Sequence, residues 1–322
     1  MQVVILCGGL GTRLRDIAEQ LPKPMVPIGQ RPILWHIMKG LATQGLREFI
    51  LCLGYQSWII KRYFLDYHLA QADLRIDLSR PDAVRLCEAD PAEDWTVTLA
   101  ETGYDAQTGC RVKRIEKYLT GDQFLLTYGD GVADVDVQAL IRFHQSHGRL
   151  ATVTAVRPPG RFGEIDLDGG RVVSFNEKPT VSRGRINGGF MILQRAVLDR
   201  LRDDPALVLE QEPLMQLARD GELMAYEHDG FWHPMDTSRD YRILNDLWNT
   251  GHAPWRIWPE PPTTPAATAT AAPATATLAA AVAAPATATL AGPAPATVAA
   301  PVPGPATVAA PESDDPWPRK PR

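Results

Sequence analysis

Cysteine and long apolar runs are both scarce in this chain, which argues against a disulfide-rich protein and against a membrane-spanning one. The four cysteines stand far apart and none forms a C-x-x-C pair, which favours reduced thiols over a disulfide framework. The apolar stretches are much shorter than the ~20 residues that a membrane-spanning helix needs. The N-terminus enters an apolar strand with no basic segment or cleavage site before it. We therefore expect no signal peptide, no membrane association and a cytoplasmic location.

The chain also lacks an excess of positive charge. Its 33 Lys and Arg residues stand against 38 Asp and Glu residues, giving a net charge of −5, and no run of basic residues occurs. A nucleic-acid partner is therefore not expected. The G-x-S-x-G motif of many serine hydrolases is missing as well. Anionic ligands would have to be held by local cations in a cleft.

The C-terminal part differs sharply in composition from the rest. Residues 261–311 contain no charged or aromatic residue, and the string A-P-A-T-A-T-L-A occurs at 272–279 and again at 284–291. Frequent prolines prevent a long helix and also interrupt every apolar run, and large side chains for a core are missing. We predict one folded domain over residues 1–258 and a disordered Ala/Pro/Thr-rich tail over 259–322, whose partner is unknown.

The first 258 residues alternate between apolar strands and amphipathic helices, which predicts an α/β fold with a Rossmann-like, mostly parallel sheet flanked by helices. Ligands of such sheets gather at the carboxyl ends of the strands. Asp168-Gly169-Gly170 between two short strands indicates a hairpin. We expect this small antiparallel insertion to serve the second substrate, and we expect Trp35 and Trp232 in the core.

The first strand runs into the string C-G-G-L-G-T-R at residues 7–13, and K-P-M follows at 23–25. Closely spaced glycines let backbone amides approach a phosphate chain, while Arg13 and Lys23 supply positive charge. Leu14 stands where a dinucleotide-binding G-x-G-x-x-G needs its third glycine, and no lysine directly follows the last glycine as in a P-loop. The loop therefore predicts phosphate chemistry of another kind.

Two carboxylates are candidate ligands of Mg²⁺. Asp130 ends an apolar strand in Y-G-D-G, where an unpaired carboxylate would be costly, and Asp236 lies in P-M-D-T. Either one could instead be a turn or helix-capping residue.

Further cations and polar groups follow other strands. Lys178 lies in E-K-P after the strand that ends at Phe175, and Asn187 stands before two glycines that suit a bound sugar. Arg111 and Arg114 surround a predicted helix start that would suit an anion. For Arg111, a phosphate contact and a surface ion pair both remain open.

Together these motifs resemble the sugar-1-phosphate nucleotidyltransferase family, and within it the glucose-1-phosphate cytidylyltransferases. The similar stretches include T-Y-G-D-G-V-A-D at 127–134, P-P-G-R-F-G at 158–163, F-N-E-K-P at 175–179, I-N-G-G-F at 186–190 and E-Q-E-P-L-M at 210–215. The resemblance covers residues 1–258. It implies Mg²⁺-assisted conversion of CTP and α-D-glucose 1-phosphate to CDP-glucose and pyrophosphate, by a homo-oligomer.

The resemblance also implies the site residues. The catalytic cations would be Arg13, Lys23 and Lys178, and the metal ligands Asp130 and Asp236. The substrate-binding residues would be Leu6, Gly8, Gly9, Leu10, Gly11, Thr12, Arg13, Lys23, Thr102, Arg111, Gly129, Glu177, Lys178, Asn187 and Gly188. Cys7 stands where the family commonly has alanine, so the site could be sensitive to thiol reagents.

Three alternative functions remain open at this point. The same reaction with dTTP or UTP is the nearest, because spacing does not fix the choice of base. A catalytically idle sensor of nucleotide sugars and an NAD-dependent oxidoreductase are the others. The intact Arg13, Lys23, Asp130 and Asp236 disfavour the sensor, and the missing third glycine disfavours the oxidoreductase.

Overall fold

The structure is a computed structural model that describes residues 1–9, 21–79, 84–89, 93–158, 164–168, 171–176 and 184–259. Some sequence predictions concern residues outside these ranges, namely Leu10, Gly11, Thr12, Arg13, Glu177, Lys178 and the tail from residue 260 onward.

Strands and helices alternate along the described residues. The strands are β1 (Gln2–Leu6), β2 (Pro27–Ile28), β3 (Arg31–Pro32), β4 (Glu48–Leu53), β5 (Ala72–Ile76), β6 (Val84–Ala89), β7 (Thr96–Glu101), β8 (Gln123–Tyr128), β9 (Gly131–Ala133), β10 (Ala151–Val156), β11 (Glu164–Asp168), β12 (Arg171–Asn176), β13 (Ile186–Gln194), β14 (Leu223–His228) and β15 (Trp232–Pro234). The α-helices are α1 (Ile33–Thr43), α2 (Ser57–Leu65), α3 (Thr108–Arg114), α4 (Val137–His147), α5 (Glu212–Arg219) and α6 (Ser238–Asn249).

A seven-stranded central sheet has the order β14-β10-β13-β8-β1-β4-β7 within the described residues. β1 pairs in parallel with β4 and β8, and β4 pairs in parallel with β7. β13 runs antiparallel to both of its neighbours, β8 and β10. The predicted mostly parallel sheet is confirmed, and the carboxyl ends of β1, β4 and β8 therefore meet at one edge.

The core lies on both faces of this sheet. Along β1, Val3 and Ile5 pack into one apolar cluster with α1 and α4, whereas Val4 and Leu6 pack into a second cluster with α3 and α5. Alternate residues of a strand point to opposite faces, so a strand covered on both faces must be apolar throughout. The apolar run before the glycine loop is therefore a buried central strand.

Short antiparallel pairs lie outside the central sheet. β11 pairs with β12, which confirms the hairpin predicted around Asp168-Gly169-Gly170. β9 pairs with β15, and β5 pairs with β6. The β9–β15 pair joins two segments about one hundred residues apart, and it bears directly on the candidate site.

The chain packs against the core as far as Trp258. Trp255 and Trp258 are buried, and their rings lie within 6.3 Å of the buried imidazole of His36, centroid to centroid. Trp35 is also buried, as expected. Among the described residues, no helix has the length and apolar character needed to cross a membrane.

Candidate active site

The N-terminal glycines leave the sheet between β4 and β8. The Cys7 amide donates to Cys52 O at 3.0 Å, and the Gly129 amide donates to Leu6 O at 3.1 Å. A Cβ on Gly129 would lie 3.1 Å from Leu6 O and 3.2 Å from the Cys7 Sγ. Gly129 therefore allows the ends of β1 and β8 to approach closely, and this packing sets the floor of a cavity.

The cavity above this floor has a volume of about 170 Å³. Its lining includes many of the predicted nucleotide-contact residues. Tyr128 and Asp130 also line a second, wider cavity of about 540 Å³. The first cavity is lined by Leu6, Cys7, Gly8, Gly9, Lys23, Pro24, Ala106, Gln107, Thr108, Arg111, Tyr128, Gly129 and Asp130. The second is lined by Tyr128, Asp130, Pro158, Ile186, Asn187, Glu210, Trp232, Pro234 and Asp236.

Arg111 lies beneath the first cavity and not at the surface. It is 4% exposed, and its guanidinium donates to Gly8 O at 3.0 Å, Leu53 O at 2.8 Å and Gly103 O at 2.9 Å. A Cβ on Gly8 would lie 2.2 Å from the Arg111 Cζ. The surface ion pair left open by the sequence is therefore wrong, and glycine at position 8 makes room for this guanidinium.

Thr102 supports Arg111 from within the protein. It is completely buried, its hydroxyl donates to Leu53 O at 2.7 Å, and the same oxygen accepts from Arg111 Nη1 at 2.9 Å. Burial lowers the pKa of Arg111 from its usual value, although a guanidinium stays charged in a protein. A buried positive charge thus lies against Gly8.

The sequence predicted an anion site at the start of α3, and this prediction is wrong. The amides of Gly109 and Cys110 both donate to Leu207 O, at 2.9 and 3.3 Å, and the Gln107 amide donates to Pro205 O at 2.8 Å. Since backbone carbonyls already occupy these donors, the helix start serves to bind the 205–210 segment.

Asp130 and Asp236 converge on Lys23. The Lys23 Nζ lies 2.5 Å from Asp130 Oδ2 and 2.6 Å from Asp236 Oδ1. Asp130 immediately precedes β9 and Asp236 follows β15 closely, and the Met235 amide extends the antiparallel pair by donating to Asp130 O at 2.8 Å. Burial alone would lower the pKa of Lys23, but the two carboxylates outweigh it and raise the pKa, so the ammonium stays charged.

The backbone at Asp236 is fixed by the cap of α6. The Asp240 carboxylate accepts from the amides of Asp236 and Thr237, at 3.2 and 2.9 Å, and His233 lies 3.0 Å from the same carboxylate. Burial alone would raise the pKa of Asp240, but these hydrogen bonds lower it to about 2. The N-cap is Thr237, so Asp236 is not the capping residue, and its carboxylate is directed to Lys23.

Asn187 and Tyr128 lie close together in the lining of the second cavity. Gly189 has a φ of +97°, and a Cβ there would lie 2.6 Å from the Tyr128 ring, while a Cβ on Gly188 would lie 2.5 Å from Val156. Both glycines are thus required by packing around β13. Trp232, expected in the core, is only half-buried, and its indole N–H donates to Gly188 O at 2.7 Å beside this cavity.

Comparison with known proteins identifies the family. The family model described as "Nucleotidyl transferase" matches residues 2–242. The chain belongs to the nucleotidyl transferase family. A "Glucose-1-phosphate cytidylyltransferase" of Salmonella typhi is 51% identical over 259 residues, which are 80% of this chain and all of the relative. A "Probable glucose-1-phosphate cytidylyltransferase" of Bacillus subtilis is 43% identical over 80% of this chain and all of the relative.

Solved structures agree with this assignment. HddC from Yersinia pseudotuberculosis superposes with a TM-score of 0.55 at 25% identity, over 77% of this chain and 99% of that one. A glucose-1-phosphate thymidylyltransferase structure from Bacillus anthracis, itself named as putative, has a TM-score of 0.55 at 16% identity and supports the fold alone. The resemblance to the cytidylyltransferases indicated by the motifs is confirmed by the named relatives.

The structure adds Glu210 to this nucleotidyl transferase site and shows that Cys7 is buried. Glu210 lines the second cavity and accepts hydrogen bonds from Tyr128 and Thr108, yet its position in E-Q-E-P-L-M gives no reason to place it there. Cys7 is 1% exposed, and burial, with lesser contributions from Cys52 and Asp130, raises its pKa well above the usual value. The expected sensitivity to thiol reagents is therefore not supported, because a protonated thiol is a poor nucleophile.

Proposed function

We propose that this nucleotidyl transferase transfers a cytidylyl group from CTP to α-D-glucose 1-phosphate in the cytoplasm, forming CDP-glucose and pyrophosphate. The observation that carries the proposal is the pair of adjoining cavities, one on each side of Asp130, with carboxylates from distant segments converging on Lys23. The names of the relatives at 51% and 43% identity support the choice of substrates.

The proposed reaction needs no general base. A sugar phosphate is largely dianionic at neutral pH, since its second pKa is about 6. One of its oxygens attacks the α-phosphorus of CTP in line. As that bond forms, the bond from the α-phosphorus to the bridging oxygen of the β-phosphate breaks, and pyrophosphate leaves with the electron pair. The protein has to position the two phosphates and neutralise their charge.

The proposed roles follow the two cavities. On the nucleotide side, Leu6, Gly8, Gly9 and Gly129 would face the nucleotide. The family resemblance adds Leu10, Gly11, Thr12 and the Arg13 cation to the residues that bind it. Lys23 would contact the triphosphate from its place between the carboxylates. By the family resemblance, Lys178 would bind the sugar phosphate, and Glu177, Asn187 and Gly188 would bind the hydroxyls of the sugar. Thr102 and Arg111 would act from beneath the loop.

Asp130 and Asp236 suit the Mg²⁺ ion that the family resemblance implies. Two carboxylates on one small volume, together with substrate phosphates and water, are the ligands that Mg²⁺ prefers. Among the described residues no group of three or more His, Cys, Asp or Glu side chains is placed to hold a metal ion, which fits an ion shared with substrate. When bound, the ion would neutralise phosphate charge.

Pyrophosphate release tests the proposal. With CTP, glucose 1-phosphate and Mg²⁺, the wild-type protein should release pyrophosphate, and Asp130→Asn should lower turnover by roughly a hundredfold or more, as loss of a charge-stabilising group does. Asp122→Asn is the matched control, because Asp122 is exposed at the opposite end of β8. Near-wild-type turnover of Asp130→Asn would remove Asp130 from the site, and no release from the wild type would favour the idle sensor.

We also propose that the protein self-associates through the β5–β6 hairpin. Leu74 pairs with Leu86 and Ile76 pairs with Val84, so one face of this hairpin is apolar, and all four side chains are exposed by 36% or more. An isolated two-stranded hairpin is only marginally stable in water. An exposed apolar face of this kind marks a site of protein–protein contact. A second copy is the partner that is always present.

Light scattering after gel filtration tests this assembly. The wild type should be a dimer or larger, and Leu74→Asp should shift it towards the monomer because it places a charge in the apolar face. A monomeric wild type at micromolar concentration would contradict the proposal.

A further inference from the structure

Glu210 lines the second cavity and accepts hydrogen bonds from two residues, Tyr128 and Thr108, that line the first. It comes from the turn before α5, remote in sequence from the other site residues. The Tyr128 hydroxyl, at the end of β8, donates to Glu210 Oε1, and the Thr108 hydroxyl, at the start of α3, donates to Glu210 Oε2 at 2.6 Å. Both carboxylate oxygens are therefore used, one on each wall.

The carboxylate fixes the direction of these hydrogen bonds. A hydroxyl has one proton to donate and a carboxylate can only accept, so the protons of Tyr128 and Thr108 must point to Glu210. The hydroxyl oxygens then remain free to accept from other groups.

On the sugar side this direction continues to Asn187. The Asn187 Nδ2 lies 3.4 Å from the Tyr128 hydroxyl oxygen, while its Oδ1 accepts from the Gly189 amide at 3.0 Å. Because the Tyr128 hydroxyl already donates to Glu210, it presents an acceptor to Asn187. The amide of Asn187 is thereby held in one orientation at the edge of the second cavity.

On the nucleotide side the same carboxylate restrains the start of α3. The Thr108 hydroxyl donates to Glu210 and accepts from the Leu209 amide at 2.9 Å. The helix that begins at Thr108 carries Arg111, which binds Gly8 O. Backbone bonds such as Gly109 N to Leu207 O hold this segment independently, so the carboxylate orients side chains and is not needed to fold the segment.

We propose that Glu210 is a positioning residue that couples the two substrate cavities, orienting Asn187 through Tyr128 on one side and Thr108 with the start of α3 on the other. The identity of the two ligands rests on the proposed function. Replacement by glutamine would put an NH₂ group against one hydroxyl, which reverses that hydrogen bond. The other hydroxyl would face a neutral carbonyl oxygen, a weaker acceptor than a carboxylate, so both sides would lose part of their fixed orientation.

Steady-state kinetics of Glu210→Gln test the proposal, with Glu212→Gln as the matched control. Glu212 lies two residues away and pairs with Arg202 at the surface. Glu210→Gln should raise KM for CTP and for glucose 1-phosphate, each by roughly tenfold, as loss of a hydrogen bond to a charged group predicts. Tyr128→Phe should raise KM for glucose 1-phosphate alone, and the double variant should bind that substrate no worse than Glu210→Gln.

A change of kcat alone, of one KM alone, or additive effects in the double variant would overturn the coupling. Calorimetry with CTP and with glucose 1-phosphate, each alone, measures the same loss of affinity without turnover. A wild type that binds both ligands but releases no pyrophosphate would therefore contradict the proposed function and leave the coupling measurable. A wild type that binds neither would contradict both.

Discussion

Replacing Arg111 by methionine should destabilise the fold, because its guanidinium joins residues at or just after the ends of β1, β4 and β7. It donates to carbonyls of Gly8, Leu53 and Gly103 and to the hydroxyl of Thr102. A hydrogen bond to a charged group contributes ~1.5–3 kcal/mol, and several share this one group. The variant would also leave buried carbonyls without a donor, which costs ~1–3 kcal/mol for each one, and we expect a loss of about 4 kcal/mol.

Urea unfolding and thermal melting measure this loss. About 4 kcal/mol corresponds to a fall in Tm of roughly 8–16 °C for a domain of this size. Arg219→Met is the control, because Arg219 is exposed and its guanidinium makes one long hydrogen bond, of 3.5 Å, to the side chain of Gln216. A fall in the free energy of unfolding of less than about 1 kcal/mol for Arg111→Met, relative to the control, would contradict a structural role for its hydrogen bonds.

A cycle with Gly8→Ala sharpens the same prediction. In the wild type the new methyl group would lie 2.2 Å from the Arg111 Cζ, so the guanidinium would have to move away from its carbonyls. In Arg111→Met the guanidinium is gone, and Gly8→Ala should cost much less. Equal costs in both backgrounds would show that glycine at position 8 is required for another reason.

Three further predictions concern other parts of the molecule. Burial lowers the pKa of His36 to about 4, so between pH 6.5 and 4 only the unfolded chain takes up this proton. The free energy of unfolding should therefore fall by about 3 kcal/mol across that window, and His36→Gln should reduce the fall in urea titrations. Truncation after Pro259 should leave Tm and pyrophosphate release unchanged. Truncation before Trp255, a fully buried side chain, should lower the free energy of unfolding by about 3–5 kcal/mol, the cost of a lost core tryptophan. Equal Tm values for the two truncated proteins would contradict the domain boundary. Iodoacetamide should label the exposed Cys87 well before the buried Cys7, and mass spectrometry that finds Cys7 modified first would contradict the raised pKa.

The sequence predicted the sheet edge that holds the cavities of the candidate site, for a physical reason. A strand as apolar as β1 must be covered on both faces, and glycines directly after it mark a close approach at its carboxyl end. The chemistry of carboxylates likewise paired Asp130 with Asp236, and both converge on Lys23. These inferences needed only local composition and general chemistry.

The remaining features depend on long-range packing that no local pattern records. The strands β9 and β15, which bring the two aspartates together, have three residues each, too few for a periodic signal. The burial of Arg111 depends on Gly8 and on Gly54, where a Cβ would lie 2.5 Å from its Nη1. Trp232 is apolar by type, yet its N–H needs a partner and finds Gly188 O beside the cavity.

The choice of nucleotide is the most direct test of the account as a whole. Wild-type protein with Mg²⁺ and glucose 1-phosphate is supplied with CTP, dTTP, UTP or ATP in turn, and kcat/KM for pyrophosphate release is measured for each, with the sugar nucleotide identified by its mass. We expect CTP to be preferred by at least about tenfold, a difference of ~1.4 kcal/mol in transition-state binding, and the product to be CDP-glucose. Equal or higher kcat/KM with any other nucleotide would contradict the cytidylyl assignment.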